Sequence, residues 1–321
     1  MRQMQVETVK LSLARPCKRA QELRNAVSVV RITVEEQGFI GLGECTPAFE
    51  YQESAASVCR QLDAVRGAVT RGASRDEIQT LLPPGAARNA LDCALWRLNA
   101  ALHKQTVWQQ VGIQPPASLI TTETLSITSL ENTVAATRDA ISRGAQVIKL
   151  KLDRSDIVEK IAAVRDAAPR ATLMVDATES WAGLDLLSLC HALLPYNIAL
   201  IEQPLPAGKD QELLRFSHPI PLCADESCRH AGDIPGIRRR YEMINIKLDK
   251  CGGLTEALAM VREARLHGLK LMVGCLVGSS LAMEAALPVA AAADYVDLDG
   301  PLWLAADSSP YLTYHHGRIW L

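Results

Sequence analysis

The chain has 321 residues, 48% of them hydrophobic, and a formal net charge of -2. With no Lys or Arg run longer than Arg238-Arg239-Arg240 and no apolar stretch of bilayer-spanning length, it offers no footprint for nucleic acid or an anionic membrane. Nine cysteines without zinc-ribbon or redox-motif spacing, and no apolar export core in residues 1–20, lead us to expect reduced thiols and a cytoplasmic protein.

Residues 4–13 and 27–44 read as strands. The run 27–34 is rich in β-branched residues and Gln37-Gly38 marks a turn, so a three-stranded meander is expected, with residues 15–25 a basic, irregular connection. From residue 54 to 108 the period becomes helical. Ala90, Leu91, Ala94, Leu95 and Leu98 make one apolar stripe after the break at Pro83-Pro84-Gly85. Strands followed by helices point to an α+β unit that ends near residues 112–116.

Thereafter short apolar strands alternate with amphipathic helices. Strand candidates lie at 119–127, 147–152, 172–177, 199–202, 221–225, 243–248, 271–275 and 295–298, the rhythm of a (β/α) barrel. A doubly wound sheet is the alternative, but no Gly-rich phosphate fingerprint follows any strand. The tail beyond residue 301 has strand-like pieces at 311–314 and 318–320.

The chemistry begins at residues 146–152. Alternation puts Ile148, Leu150 and Leu152 on one face and Lys149 and Lys151 on the other. Lysine is almost never buried without a partner, so this face meets water, anions or a site. The anions follow at strand ends: Lys151, Asp176, Glu202, Asp225 and Lys247 are separated by 25, 26, 23 and 22 residues, one βα unit each. They would occupy consecutive sectors of the C-terminal rim, where barrel active sites lie.

Three carboxylates cannot converge unneutralised, because like charges raise one another's pKa. Oxygen ligands without His or Cys favour Mg²⁺ or Mn²⁺ over zinc. Rim salt bridges to the lysines are the alternative. Lys151 and Lys247, on opposite sides, form a two-base arrangement. Lys149 and a divalent cation would push a neighbouring lysine toward its neutral form, although Lys149 also reads as a simple counter-ion. A positioned base contributes about 10²- to 10⁴-fold where enzymes commonly reach about 10⁶-fold or more. The larger contribution to removing a weakly acidic α-proton must therefore be electrostatic, from a metal stabilising the enediolate.

Six motifs stand in order: Lys149-Leu-Lys151, Asp176-Ala-Thr-Glu-Ser-Trp181, Glu202-Gln-Pro204, Asp225-Glu-Ser227, Asn245-Ile-Lys247-Leu-Asp-Lys250 with Gly252-Gly253, and Asp297-Leu-Asp299-Gly300-Pro301. Together they resemble the enolase superfamily, in its muconate-lactonizing-type subgroup, and most closely the dipeptide epimerases. The resemblance covers essentially the whole chain. It implies an α/β fold: a modified (β/α)7β TIM-like barrel over residues 114–300, with an N-terminal α+β capping domain of residues 1–113 completed by the tail 301–321.

The resemblance further implies epimerisation of L-Ala-D/L-Glu-type dipeptides by two-base 1,1-proton transfer, in murein peptide recycling. Asp176, Glu202 and Asp225 would bind Mg²⁺, with Mn²⁺ as a substitute. Lys151 and Lys247 would be the acid/base pair and Lys149 an electrostatic helper. Substrate binding would fall to Asp297, Asp299, Arg24 and Thr124. The two aspartates, two apart on a strand, would share a face and meet an α-ammonium group. Arg24, in the cap loop with Arg15, Lys18 and Arg19 as alternatives, would meet the substrate side-chain carboxylate. One departure stands out: Asp176-Ala-Thr178 where relatives usually carry Asp-Ala-Asn. Analogy also suggests a homo-oligomer. The alternatives are a muconate cycloisomerase or o-succinylbenzoate synthase, whose substrates lack an ammonium group, and a non-catalytic barrel, against which the complete set of charged residues argues.

Overall fold

The computed structural model describes residues 2–19 and 22–321, and the side chains of all these except 15–19 and 22–24. The chain opens with an antiparallel meander, β1 (Gln3–Arg19), β2 (Glu22–Glu36) and β3 (Phe39–Cys45). The first two strands are longer than expected. Residues 15–19 and 22–25 are not an irregular connection, and residues 20–21 lie outside the described residues: after a register shift between Ser12 and Cys17, pairing resumes at Cys17 with Arg24 and ends at Arg19 with Glu22. The ribbon thus projects beyond β3.

Three helices cover one face of this sheet: α1 (Ala55–Thr70), α2 (Arg75–Leu81) and α3 (Ala86–Leu102). Ser54 and Ser74 cap the first two, each accepting from the backbone N–H three residues on, with that residue's side chain returning the bond. The stripe at Ala90, Leu91, Ala94, Leu95 and Leu98 is buried, as its period requires. Gly41 and Gly43 let α3 approach closely: a Cβ on either would stand 2.0 Å from the carbonyl oxygen of Ala94 or Ala90.

The second unit is a ring of eight parallel strands in sequential order: β5 (Thr122–Leu125), β6 (Val147–Lys151), β7 (Thr172–Asp176), β8 (Ile198–Glu202), β9 (Leu222–Ala224), β10 (Met243–Lys247), β11 (Lys270–Gly274) and β12 (Tyr295–Asp297). Sequential order leaves no switch point, which removes the doubly wound alternative. The expected strand at 119–127 divides into β4 (Ser118–Ile120) and β5, because Thr121 turns its N–H to Gly317 O and its hydroxyl to Leu298 N–H. Side chains also join β12 to β5: Asp297 accepts from the Thr122 and Thr124 hydroxyls, and Asp299 accepts from Thr124 N–H at 2.8 Å.

The tail bonds first to the cap and then to the barrel. Leu304 pairs with Leu13 and Ala305 donates to Ser12 O, after which β13 (Thr313–His315) and β14 (Arg318–Trp320) add to β4. Among the described residues no helix is long and apolar enough to cross a membrane.

Alternation divides the barrel interior into two layers. Val147, Met174, Leu200, Cys223, Met243 and Met272 form one buried apolar cluster toward the N-terminal ends of the strands. Two residues further along the same chain segments come Lys149, Asp176, Glu202, Asp225, Asn245 and Gly274. A dry floor therefore carries a charged layer at the C-terminal mouth.

Candidate active site

The regular sequence spacing becomes direct lateral contact. In register, Thr124 lies beside Lys149, Lys151 beside Asp176, and Asp176 beside Glu202. Lys149 is buried at the centre, its Nζ 2.7 Å from Glu202 Oε2, 2.8 Å from Asp297 Oδ2 and 3.3 Å from Asp176 Oδ2. Lys151 Nζ stands 3.2 Å from Asp176 Oδ2, with its side chain 39% exposed to the mouth. Lys247 bonds Asp225 Oδ2 from the other flank and lies 4.0 Å from Glu202 Oε1. The geometry thus brings together all three lysines, the three carboxylates and Asp297.

Charge balance follows from these contacts. Burial penalises the Asp176 carboxylate, but Lys151, Lys149 and Lys247 outweigh it and hold its pKa below the usual range. For Asp225, Lys247 and Lys250 outweigh burial in the same way. Burial prevails at Glu202, which is pushed up to about 7 despite Lys149, with Asp176 and Asp225 adding to the rise. Lys149 and Lys247 are held well above the ordinary lysine value: burial disfavours the ammonium, but Asp297, Glu202 and Asp176 around Lys149, and Asp225 and Glu202 around Lys247, outweigh it. The protein's own groups favour the protonated amines.

Each carboxylate has one oxygen engaged by a fixed donor. Asp176 Oδ1 accepts from Thr178 N–H and Oγ1–H, both at 2.9 Å. Glu202 Oε1 accepts from Asn245 Nδ2 at 2.8 Å, and Asp225 Oδ1 from Lys250 Nζ at 2.8 Å. Thr178 thus supplies its own oxygen in place of an amide, with φ at +44°, a conformation costly for a β-branched residue. Gln203 Oε1 accepts from Asp225 N–H at 2.9 Å and Ser227 N–H at 3.1 Å, fixing the turn after β9.

The remaining oxygens, Asp176 Oδ2, Glu202 Oε2 and Asp225 Oδ2, face the lysines. Among the described residues no three His, Cys, Asp or Glu side chains stand ready as a metal cage, because ammonium groups lie between the carboxylates. The donor set nonetheless fits a hard cation. All three free ends are carboxylate oxygens, and Glu202 Oε2 is buried without accepting a hydrogen bond, held only by the ion contact to Lys149.

The other sequence candidates fall differently. Asp297 is occupied by Lys149 and two threonine hydroxyls, so it does not share a free face with Asp299. Asp299 lies beyond the end of β12, and burial, reinforced by Asp297, pushes its carboxyl to about 6. Thr124 touches both aspartates. The side chains of Arg24, Arg15, Lys18 and Arg19 lie outside the described residues. Asp249 leaves the strand pattern: it sits in the helical turn Leu248–Cys251 and accepts from Thr46 N–H and Asn89 Nδ2 of the cap.

Sequence reasoning missed Lys250, although it quoted the motif. Its ammonium is buried on Asp225 Oδ1, Asp225 O and Asn245 O. A second lysine, three residues beyond Lys247, was the available signal. The cap is tied down nearby, where Glu44 accepts from Ser279 N–H and Oγ–H, both at 2.8 Å.

Lysines alternating with carboxylates stand at the C-terminal end of a sequential parallel ring, where barrel enzymes carry their active sites. Residues 132–320 match the family described as enolase C-terminal domain-like, and residues 1–112 the mandelate racemase / muconate lactonizing enzyme N-terminal domain. The chain belongs to this branch of the enolase superfamily and is an isomerase of the racemase and epimerase kind.

It is 45% identical to the L-Ala-D/L-Glu epimerase of Escherichia coli over 94% of each chain. It is 41% identical to an N-acetyl-D-glutamate racemase of a Pseudoalteromonas species, over 91% of this chain and 92% of that one. Two solved structures are also similar. An Agrobacterium tumefaciens enolase-family protein with homology to dipeptide epimerases, with bound sodium and L-Ala-L-Glu, aligns at TM-score 0.95 and 41% identity, covering 100% of this chain and 98% of that one. A Methylococcus capsulatus dipeptide epimerase complexed with Mg and L-Arg-D-Lys aligns at TM-score 0.90 and 30% identity, covering 99% and 96%.

Proposed function

We propose that this enzyme epimerises L-Ala-D/L-Glu-type dipeptides at the α-carbon of the C-terminal residue, by 1,1-proton transfer between Lys151 and Lys247, in the turnover of murein peptides. The observation that carries this reading is the seating of the two lysines. Lys151 rests on Asp176 and Lys247 on Asp225, the outer two of three adjacent carboxylates, so the amines flank one point from β6 and β10. One lysine removes the α-proton from one face and the other delivers a proton to the opposite face.

Asp176, Glu202 and Asp225 would hold Mg²⁺ through the oxygens that now face lysines, a role supported by the Mg named with the Methylococcus capsulatus enzyme. When bound, the cation supplies positive charge at the substrate carboxylate, where negative charge grows as the α-proton leaves. Lys149 adds a second fixed positive charge. Asp299, with Thr124 behind it, would receive the substrate ammonium, and Arg24 the side-chain carboxylate.

A second reading has its own support. Asp297 is already neutralised by Lys149, leaving one carboxylate for the substrate nitrogen, and the Pseudoalteromonas relative acts on an N-acetylated glutamate. Both readings share the chemistry and differ at that nitrogen. The test is proton NMR in D₂O with Mg²⁺, comparing L-Ala-L-Glu with N-acetyl-L-glutamate. Loss of the glutamate α-proton and growth of the other epimer in the dipeptide supports the first reading. Exchange confined to N-acetylglutamate replaces it with the second, and exchange in neither overturns both.

A further inference from the structure

Asn245 occupies an inward position of β10, two residues before Lys247 and fully buried. The amide turns Nδ2 toward Glu202 and donates to Oε1 at 2.8 Å. The other end of the amide, Oδ1, is buried and accepts no hydrogen bond. The side chain is therefore held by one strong contact and by the space it fills. That space exists because of its neighbour. Gly274 takes the inward position of β11 above Met272, and a Cβ there would come within 2.7 Å of Asn245 Oδ1 and 2.8 Å of Nδ2. Every other strand from β6 to β10 places a polar or charged side chain at this level, and β11 places none.

We propose that Asn245 is a positioning residue for the proposed metal ligand Glu202, and that Gly274 is the vacancy that makes it possible. The amide engages Oε1 and so turns Oε2, which accepts no hydrogen bond, to the side where Lys149 Nζ stands 2.7 Å away. Without it the carboxylate can turn, presenting either oxygen or both. The inference rests on the metal reading above for what Oε2 meets. The orientation of Glu202 does not depend on that reading.

The test uses the full-length enzyme as Asn245→Ala, Gly274→Ala and the double variant. Mg²⁺ uptake is followed by calorimetry without substrate, and folding by thermal melts. Partners that orient metal ligands typically contribute about 10- to 100-fold in affinity. Asn245→Ala is expected to weaken Mg²⁺ binding by that factor. Gly274→Ala deletes no group and should weaken it comparably, by pushing the amide off Glu202. In the double variant the glycine change should add nothing, since the amide it displaces is gone.

Mg²⁺ binding by folded Asn245→Ala within two-fold of the unsubstituted enzyme overturns the role of Asn245. Losses that multiply in the double variant overturn the coupling to Gly274. Should Asn245→Ala fail to fold, Gly274→Ala alone decides: a two-fold effect or less sinks the proposal. If the unsubstituted enzyme takes up no Mg²⁺, the metal reading fails, and crystal structures of the variants judge the positioning claim separately. A turned Glu202 carboxylate upholds it and an unmoved one overturns it.

Discussion

Lys149 and Asp297 meet at 2.8 Å from β6 and β12, two strands with β5 between them. This contact ties the carboxylate cluster to the far side of the ring and commits Asp297 to a resident cation. It also makes Lys149 the common counter-ion of three buried carboxylates.

Replacing Lys149 by Met should therefore remove the counter-ion that Asp176, Glu202 and Asp297 share. Removing one partner from a buried ion network typically destabilises by about 3–5 kcal/mol. Urea unfolding without added metal should show a loss of that order, and Mg²⁺ should restore much of it by taking over the neutralisation. An unfolding midpoint unaffected by Mg²⁺ in the variant would contradict the metal assignment.

Lys151→Ala and Lys247→Ala should each abolish epimerisation, with losses of about 10²- to 10⁴-fold expected for a positioned base. Each should retain deuterium exchange into one epimer only, and the two variants should retain opposite epimers. Equal exchange into both epimers by either variant would remove the two-base mechanism.

As the proposed partner of the substrate ammonium, Asp299 should set a pH dependence on binding. Burial and Asp297 raise its carboxyl to about 6, so it is ionised at neutral pH and takes up a proton as the pH falls through 6. An ammonium group prefers the ionised form, so KM for the dipeptide should rise on going from pH 7 to pH 5. In Asp299→Asn, KM should be high throughout and the step at 6 should vanish.

Asp92, between cap and barrel, sets a pH dependence on stability. It is buried and accepts from Thr255 N–H at 2.9 Å and Thr255 Oγ–H at 2.6 Å, yet burial outweighs these bonds and raises its pKa to about 6. The native state thus binds the proton more tightly than the unfolded chain, whose Asp titrates near 3.9. The contribution is complete below about 4 and is lost as the pH rises through 6, about 3 kcal/mol at 1.36 kcal/mol per pKa unit. Urea titrations between pH 4 and 7 should show this slope, reduced in Asp92→Asn.

Much of this was legible in the chain itself. The eight barrel strands were readable because each is a short apolar run, and the Lys151–Asp176–Glu202 row because one βα unit per step becomes one lateral step in the sheet. The ribbon's extension through residues 15–19 and 22–24 was not, since basic and polar residues carry no strand period there. Asp297 misled because pattern gives the face of a side chain but not which partner already holds it. Asn245 and Lys250 were visible only as letters within a motif, since holding a carboxylate is a property of contacts between strands distant in sequence.

The methionine-rich floor beneath the charged layer has a consequence for traffic. Val147, Met174, Leu200, Cys223, Met243 and Met272 plug the ring at one end, so the barrel is a cup and not a conduit. Whatever reacts there enters and leaves by a single door, on the side roofed by the N-terminal strands and helices. Substrate and product therefore share the same exit.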